Sequence, residues 1–459
     1  MVILVLTLTP HPGARTLSWS FCILCGSFGT ANLIRNVILF VPLGIGAGMV
    51  VGMGLGTGSG SGSGARAAEG DPAHPTATRR FLRAWLPAVA LTAGVELAQI
   101  FIAGRNSLLA DFVANAAGAA LGIVLVGSFV RGARGRAGTA AGPSPRGVVQ
   151  ALGWWGLSAT VLAGTALAFR LAPPPPPQFV QIQADLAQYE RYTGTVHEVW
   201  LSGGAAGGSR ERLETGRHPD PVALVDRIFG GSRVVVAFET GPPPARTAPL
   251  FSVFTGAQRE VIVLGVAGED AVLRLPYLAT TLRLDRPDTR IRGAFGGMET
   301  GDPGELSFWL STEGTDGPGD GSACLRLARG AEGRDGVEAE RCGLRPTLGQ
   351  GWTLLLYPTR FPPWLRSAIA WGWLLGLGFV PGLVARSRRA AGLAGLGLVV
   401  VGGSAPWLLG SAAILPVGQG LALLAGVLLG WWGRSGLVAF VPAPVSPGPD
   451  PGPDPDPRR

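Results

Sequence analysis

The feature that most constrains this chain is a set of seven apolar stretches of about twenty residues each. One helix needs about twenty apolar residues to cross a bilayer core of about 30 Å. Charged residues make up 15% of the chain, well below the share of about 25% in ordinary soluble domains. An all-soluble protein is therefore excluded. We predict spans at 37–56, 84–103, 108–130, 148–169, 367–385, 390–410 and 412–433.

The nine residues before Pro10 are apolar but cover roughly half the hydrocarbon thickness. They lack a basic start and a small-residue cleavage site, which argues against a cleaved signal peptide. An expected start upstream of Met1 would complete a further span. The predicted fold class is a multi-domain membrane protein, an α-helical transmembrane bundle of about seven to eight spans with an inserted all-β sandwich.

The arginines alternate between the loops, and this pattern predicts the topology. The loop after the first full span, the loop at 131–147 and the segments after the fifth and last spans are arginine-rich, so we expect them to be cytoplasmic. The intervening connections hold few arginines, so they and the long insert after the fourth span should face outward. The net charge of +8 is spread over these short clusters, which suits a membrane protein better than a nucleic-acid partner.

The outward insert has the pattern of a β-sandwich, jelly-roll-like domain. It opens with a stiff proline tract, and alternating or β-branched runs then recur between Gly, Pro and Asp clusters. The strands we predict are 179–182, 232–238, 250–255, 260–266, 271–275 and 352–357. The spacing of these predicted strands also gives the insert a weak resemblance to concanavalin A-like or laminin-G-like jelly rolls.

The predicted division of the chain follows from these segments. It comprises an N-terminal transmembrane domain (1–130), a basic cytoplasmic loop (131–147), one span (148–170), a proline-rich linker (171–178), the extracytoplasmic sandwich (179–360), two or three C-terminal spans (364–433) and a disordered cytoplasmic Pro/Asp tail (434–459).

Two cysteine pairs occur. Cys324 and Cys342 fall in the outward domain, where oxidising conditions would permit a disulfide between neighbouring strands. Cys22 and Cys25 form a C-x-x-C motif without a thioredoxin-like or zinc-binding context, so a local disulfide or two buried thiols is the simpler interpretation.

Polar residues in three spans converge on one membrane depth, and we call this set the polar cluster. Such groups are expensive in hydrocarbon and indicate a pocket or a helix-linking role. A small-residue motif at Gly118 and Gly122 would allow the helices to approach closely. The members are Asn32, Arg35, Asn36, Glu96, Gln99, Arg105, Asp111 and Asn115.

Three interpretations of the polar cluster remain open. Arginine forks could bind a phosphate or carboxylate while Glu96 and Asp111 orient them. The acids could instead neutralise Arg35 or Arg105 and hold helices together. A catalytic role for Glu96 or Asp111 is disfavoured, because no nucleophile, metal-ligand set or phosphatase-like histidine accompanies them.

Three motifs in this region resemble the VanZ-like membrane proteins. They are NLIRNVILFVPLG from Asn32, VELAQIFIAGR ending at Arg105, and DFVANAAGAALG from Asp111, in the family's order and at compatible spacing. The resemblance covers roughly residues 1 to 130. It implies a role in the bacterial envelope, since VanZ itself is associated with low-level teicoplanin resistance, and it matches the members of the polar cluster to the family's polar positions.

Other functional patterns are weaker. The dispersed histidines fit no metallohydrolase spacing. Asp285 with Asp288, and Asp316 with Asp320, could bind calcium but are better explained as turn residues. Aromatic residues of the insert could stack on sugars, although core packing is their default. The candidates are Trp200, Tyr277, Trp309 and Trp352.

Together these patterns predict an inner-membrane protein of the bacterial envelope. The polar cluster would bind an anionic lipid or cell-wall precursor, and the sandwich a glycan or an envelope protein. The alternatives are a membrane-embedded enzyme acting on a lipid-linked intermediate, or a structural scaffold. No cofactor and no metal is expected.

Overall fold

The structure is a computed structural model in which long helices flank a two-sheet β-domain. It describes residues 19–20, 29–54, 77–102, 107–134, 145–172, 178–185, 189–203, 210–217, 221–255, 260–311, 322–330, 337–356, 361–385 and 387–439. Cys22, Cys25, Arg105, Asp316, Asp320, the proline tract and residues 440–459 of the predicted tail lie outside these residues, whereas residues 434–439 of that tail are helical.

Seven long helices occur in the described part of the chain. They are α1 (Gly29–Gly54), α2 (Ala77–Gln99), α3 (Leu109–Arg134), α4 (Pro145–Ala168), α7 (Pro363–Val384), α8 (Arg388–Leu408) and α9 (Val417–Ala439). Six of them, α1–α4, α7 and α8, are long and apolar enough to cross a membrane. The chain is therefore a multi-pass membrane protein, as its apolar stretches predict.

The long helices form two groups. Helices α1–α3 pack together as the N-terminal bundle, and α4 packs with α7–α9 as the C-terminal bundle. Their outer surfaces carry large apolar side chains such as Leu393, which is 71% exposed, and Trp407, which is 82% exposed. Such surfaces suit contact with lipid. Three long helices lie at the C-terminal end of the described chain, and two of them, α7 and α8, are among the six candidate spans.

The β-domain lies between α4 and α7 in sequence and contains two short helices and a 3₁₀ helix. These are α5 (Pro221–Phe229), α6 (Leu278–Thr281) and the 3₁₀ helix Leu348–Leu354. Outside this domain, the short strand β1 (Trp19–Ser20) pairs in parallel with β2 (Ser107–Leu108). The strands of the domain are β3 (Gln178–Ile182), β4 (Thr195–Ser202), β5 (Arg210–Arg212), β6 (Gly216–Arg217), β7 (Arg233–Glu239), β8 (Ala248–Thr255), β9 (Glu260–Ala267), β10 (Asp270–Arg274), β11 (Thr289–Ile291), β12 (Pro303–Leu310), β13 (Ala323–Arg329) and β14 (Val337–Leu344).

Two six-stranded antiparallel sheets make up this domain. Their orders are β11-β10-β9-β8-β3-β6 and β14-β13-β12-β7-β4-β5. Alternate residues from both sheets, such as Val236, Phe251 and Leu306, are fully buried in a common apolar core. This arrangement confirms the predicted sandwich. The finer resemblance to concanavalin A-like domains has no support beyond the presence of the two sheets.

One predicted strand is wrong. The described part of the stretch 352–357, residues 352–356, does not form a strand, because the 3₁₀ helix Leu348–Leu354 occupies its start. The Thr347 side chain accepts from the third backbone N–H of this helix, and the Gln350 side chain accepts from the Thr347 N–H. This capping box starts a helical turn. The apolar run that suggested a strand is instead packed against α4 and α7.

The β-domain is joined to the C-terminal bundle by backbone hydrogen bonds. At the end of α4, Leu278 N–H donates to the Arg170 carbonyl at 2.8 Å and Ala172 N–H to the Pro276 carbonyl at 2.9 Å. At the α8–α9 connection, Leu348 N–H donates to the Ile414 carbonyl at 2.9 Å. These bonds fix the domain to one end of the bundle.

Candidate functional site

Helices α1 and α3 of the N-terminal bundle touch through their backbones. A Cβ atom built on Gly44 would lie 2.0 Å from the Ala119 carbonyl oxygen, and one on Gly118 would lie 2.1 Å from the Val37 carbonyl oxygen. Because no side chain fits there, glycine is required for this approach. The predicted close packing at Gly118 and Gly122 is therefore present, and its partner is α1.

Close packing brings polar side chains of α1 and α3 into contact. Asn32 Nδ2 donates to Asp111 Oδ1 at 3.0 Å, and Asn36 Nδ2 donates to the same oxygen at 2.5 Å. Arg35 Nη2 donates to Asn32 Oδ1 at 2.9 Å. The carboxylate of Asp111 thus orients Asn32, and Asn32 in turn orients the guanidinium of Arg35.

The remaining described members of the polar cluster are buried. Glu96 is 1% exposed, Gln99 is 7% exposed and Asn115 is 2% exposed. Helix α2 ends at Gln99 and α3 begins at Leu109, two residues before Asp111, so all of them lie at one end of the bundle. Arg105 lies outside the described residues.

The polar cluster has a half-buried rim and a buried floor. Asn32, Arg35, Asn36 and Asp111 are half-buried and can be reached from outside the helices. On the floor, Asn115 Oδ1 is buried without a hydrogen-bond donor among the described residues. A buried acceptor is costly when unpaired, so this atom suits a hydroxyl or an ammonium group of a ligand, or a water molecule.

Sequence reasoning missed two contacts of this region. Trp85 of α2 donates its indole N–H to the Ala116 carbonyl of α3 at 2.9 Å, which fixes α2 beside the polar cluster. At the start of α1, Ala31 N–H donates to the carbonyl of Arg283, in the β-domain, at 3.3 Å. The polar cluster and the β-domain therefore lie at the same end of the N-terminal bundle.

A second group of charges lies inside the β-domain. Arg274 Nη1 lies 3.3 Å from Glu260 Oε2, and its Nη2 lies 2.9 Å from Asp285 Oδ1. Arg286 Nη2 lies 3.0 Å from Glu260 Oε2, and Tyr189 donates its hydroxyl to the same carboxylate. The sequence gives no local signal for this network, because residues 285–290 read as a turn.

The two acids of this network have opposite pKa shifts. Burial raises the pKa of Glu260, but Arg274, Arg286 and the Tyr189 hydrogen bond outweigh burial, and the net pKa is below its usual value. Burial dominates at Asp285 and raises its pKa despite Arg274. Glu260 is therefore the stronger counter-ion of the two.

The calcium alternative for Asp285 and Asp288 gains no support. Asp285 is paired with Arg274, and Asp288 Oδ2 accepts from Arg290 Nε at 2.6 Å. Among the residues that the structure describes, no group of three or more His, Cys, Asp or Glu side chains is placed to hold a metal ion.

The aromatic candidates of the β-domain are mostly covered. Tyr277 is 1% and Trp352 is 3% exposed, which places both in the core. Trp200 and Trp309 belong to one sheet, and each has an arginine over its ring, with Arg233 4.0 Å from the Trp309 centroid. In the same sheet the structure joins Cys324 and Cys342 by a disulfide between β13 and β14.

Comparison with known families gives a match to the N-terminal bundle. The family model described as VanZ-LLP1: VanZ/LLP1 matches residues 2–130. The chain carries a VanZ-like domain. The Asn32–Asp111 and Asn36–Asp111 contacts lie within the matched residues.

The rest of the chain has no counterpart in the other comparisons. No curated protein matches the sequence, and no solved structure matches it. The VanZ-like domain links the protein, at the level of the family, to membrane proteins of glycopeptide resistance.

Proposed function

We propose that the polar cluster of the VanZ-like domain binds the anionic group of an envelope lipid or cell-wall precursor, a phosphate or a carboxylate. The observation that carries this proposal is the chain of contacts from Asp111 through Asn32 to Arg35. A guanidinium held in this way is pre-organised for a bidentate anion contact, which lowers the entropy cost of binding.

The geometry of the cluster supports a ligand with hydroxyl groups beside its anion. The rim offers donors from Arg35, while the floor offers the acceptor Oδ1 of Asn115. Phospholipid headgroups that carry a glycerol and sugar-linked wall precursors both combine these features. In the proposed topology the cluster and the β-domain face outward from the bacterial inner membrane, because the arginine-rich loops are on the other side.

A lipid-binding measurement tests this proposal. The full chain in detergent is titrated with phosphatidylglycerol, and bound lipid is counted by native mass spectrometry. Phosphatidylcholine, which is zwitterionic and has no net charge, is the reference lipid. Arg35→Gln should weaken phosphatidylglycerol binding by about tenfold to hundredfold, because a hydrogen bond to a charged group contributes about 1.5–3 kcal/mol. The same loss is expected for Arg105→Ala.

Arg83→Gln is the matched control. Arg83 is exposed near the start of α2, at the opposite end of the helix from Glu96, so its loss should leave binding unchanged. Equal binding by wild type, Arg35→Gln and Arg83→Gln would refute the proposal. Loss of folded protein in Arg35→Gln, seen by circular dichroism, would instead favour the scaffold alternative.

The enzyme alternative makes a different prediction. If Glu96 or Asp111 transferred a proton during turnover of a lipid-linked intermediate, Glu96→Gln and Asp111→Asn would abolish turnover and keep ligand binding.

A link to teicoplanin predicts that expression of wild type, but not of Arg35→Gln, shifts the susceptibility of a bacterial host. Binding of a glycan or envelope protein by the β-domain is a separate proposal, for which half-buried Trp309 is the residue to substitute.

A further inference from the structure

The two helical bundles pack one pair of helices in the same way. In the N-terminal bundle, a Cβ atom built on Gly44 of α1 would lie 2.0 Å from the Ala119 carbonyl oxygen of α3. In return, a Cβ atom built on Gly122 of α3 would lie 2.2 Å from the Val41 carbonyl oxygen of α1. Each helix therefore presents a glycine to the backbone of the other.

The C-terminal bundle repeats these contacts between α7 and α9. A Cβ atom built on Gly378 of α7 would lie 2.2 Å from the Leu423 carbonyl oxygen. One built on Gly426 of α9 would lie 2.2 Å from the Leu375 carbonyl oxygen. On each of the four helices, the glycine and the residue with the contacted carbonyl are three positions apart. Helices α7 and α9 therefore correspond to α1 and α3 position by position.

A short parallel pairing at the start of each pair extends this correspondence. Strand β1 precedes α1 and pairs with β2, which lies directly before α3. Thr347 precedes α7 and forms a parallel bridge with Ile414, three residues before the start of α9. In each bundle, the chain that leads into the first helix is thus paired with the chain that leads into the second.

The correspondence places Gln419 of α9 at the position of Asn115 of α3, because each lies four residues before the contacted carbonyl. Gln419 Oε1 accepts from the Gly349 N–H at 2.9 Å, and Gln419 Nε2 donates to Thr347 Oγ1 at 2.9 Å. Both partners belong to the 3₁₀ helix or its cap. In the C-terminal bundle, the chain itself therefore supplies a peptide N–H and a hydroxyl to this position.

The same position is different in the N-terminal bundle. Asn115 is 2% exposed, and its Oδ1 has no hydrogen-bond donor among the described residues. The neighbouring positions differ as well. By the same spacing, Leu415 stands where α3 carries Asp111, and Ala370 stands where α1 carries Asn36. The polar cluster is thus specific to the N-terminal bundle, and the buried acceptor lies within it.

We propose that Asn115 binds an amide N–H of the ligand, so that the ligand of the polar cluster carries an amide beside its anionic group. This inference rests on the proposed function and deepens it. In the C-terminal bundle, Gly349 of the chain makes the contact with Gln419. In the N-terminal bundle, the ligand makes the corresponding contact. An N-acetylamino sugar phosphate is the simplest compound that has both groups.

Two soluble probes isolate the amide. N-acetylglucosamine 1-phosphate and glucose 1-phosphate share the phosphate and differ only at carbon 2, where an acetamido group replaces a hydroxyl. Each is titrated into the full chain in detergent by isothermal titration calorimetry. We expect wild type to bind the acetamido sugar about fivefold to hundredfold more tightly, because a buried acceptor is paired only in that complex.

A matched pair of variants separates a ligand contact from a structural one. Asn115→Leu removes the acceptor at similar volume, so it should bind the two sugar phosphates equally. Its midpoint of thermal unfolding should not fall, because Oδ1 is unpaired before the ligand binds. Gln419→Leu is the control. It breaks the contacts with Gly349 and Thr347, so it should lower the midpoint and keep the preference for the acetamido sugar.

The failure of this inference is distinguishable from failure of the proposed function. Equal affinity of wild type for the two sugar phosphates overturns the inference, while weaker binding of both by Arg35→Gln keeps the proposed function. If wild type binds neither probe, the inference is wrong, and the phosphatidylglycerol titration decides the proposed function separately. A midpoint that falls as far in Asn115→Leu as in Gln419→Leu assigns Asn115 to the packing of the chain, which also overturns the inference.

Discussion

Replacing Gly44 by alanine tests the packing that assembles the polar cluster. A Cβ atom at this position would lie 2.0 Å from the Ala119 carbonyl oxygen, whereas real Cβ contacts are essentially never under 3.0 Å. Helices α1 and α3 must therefore separate by about 1 Å at this point. Both clashing groups are attached to backbone, so no change of side-chain rotamer can relieve the contact.

The cost should be at the upper end of the range of about 1–3 kcal/mol seen for overpacked sites. A separation of about 1 Å that extends along the helices would also lengthen the Asn36–Asp111 hydrogen bond from 2.5 Å to about 3.5 Å. The polar cluster would then lose one of the contacts that orient it. We expect lower stability and weaker lipid binding together.

Gly46 provides the matched control, because no atom lies within 4 Å of a Cβ built there. Gly46→Ala should be neutral or stabilising by up to about 1 kcal/mol, since alanine favours the helix over glycine. Thermal unfolding of both variants in one detergent measures the difference. A midpoint for Gly44→Ala that is equal to or above that of Gly46→Ala would refute the close approach of α1 and α3.

Three further predictions concern buried charges. Glu260→Gln should lower the free energy of unfolding by about 3–5 kcal/mol, because it removes the counter-ion shared by two buried arginines. Asp285→Asn should lower it by less, because burial already raises the pKa of Asp285. Denaturant unfolding at neutral pH compares the two variants. Because the pKa of Glu260 is lowered in the folded state, its ionisation stabilises the fold fully above its unfolded pKa of about 4.3, and this stabilisation is lost as the pH falls through its folded pKa. The free energy of unfolding should therefore fall less steeply with pH below about pH 4 in Glu260→Gln than in wild type. Arg434→Met should lower the free energy of unfolding by about 1–3 kcal/mol, because Arg434 donates to the Ala385 carbonyl at the end of α7 at 2.6 Å. A lower midpoint of thermal unfolding would show this loss.

The sequence predicts the long helices well because one physical requirement, the crossing of an apolar layer, decides them. The strands that are apolar along most of their length, such as Ala248–Thr255, are also predictable. Strand Val337–Leu344 carries charged residues at several positions and escaped prediction. Apolar character alone misled at 352–357, where the capping box of Thr347 and Gln350 starts a helical turn.

The polar cluster is partly predictable. Helical spacing places Asn32 and Asn36 on one face, and the glycine motif indicates close packing. What spacing cannot give is the partner of each group, because Asn36 and Asp111 are far apart in sequence and meet only in the folded bundle. The contact between Ala31 and Arg283 is of the same kind, since no local pattern marks either residue.

The way the β-domain is attached bears on whether it can act on the polar cluster. Its bonds to the end of α4 and to the α8–α9 connection are between backbone groups, and Arg366 of α7 lies 3.9 Å from Asp288 of the domain. Attachment at three elements of the C-terminal bundle resists tilting of the domain better than a single linker would. Arg283 is therefore held by the C-terminal bundle while it touches α1 of the N-terminal bundle. The β-domain thus joins the two helical groups through described backbone contacts, so a change that loosens its attachment to the C-terminal bundle should also weaken its contact with the start of α1.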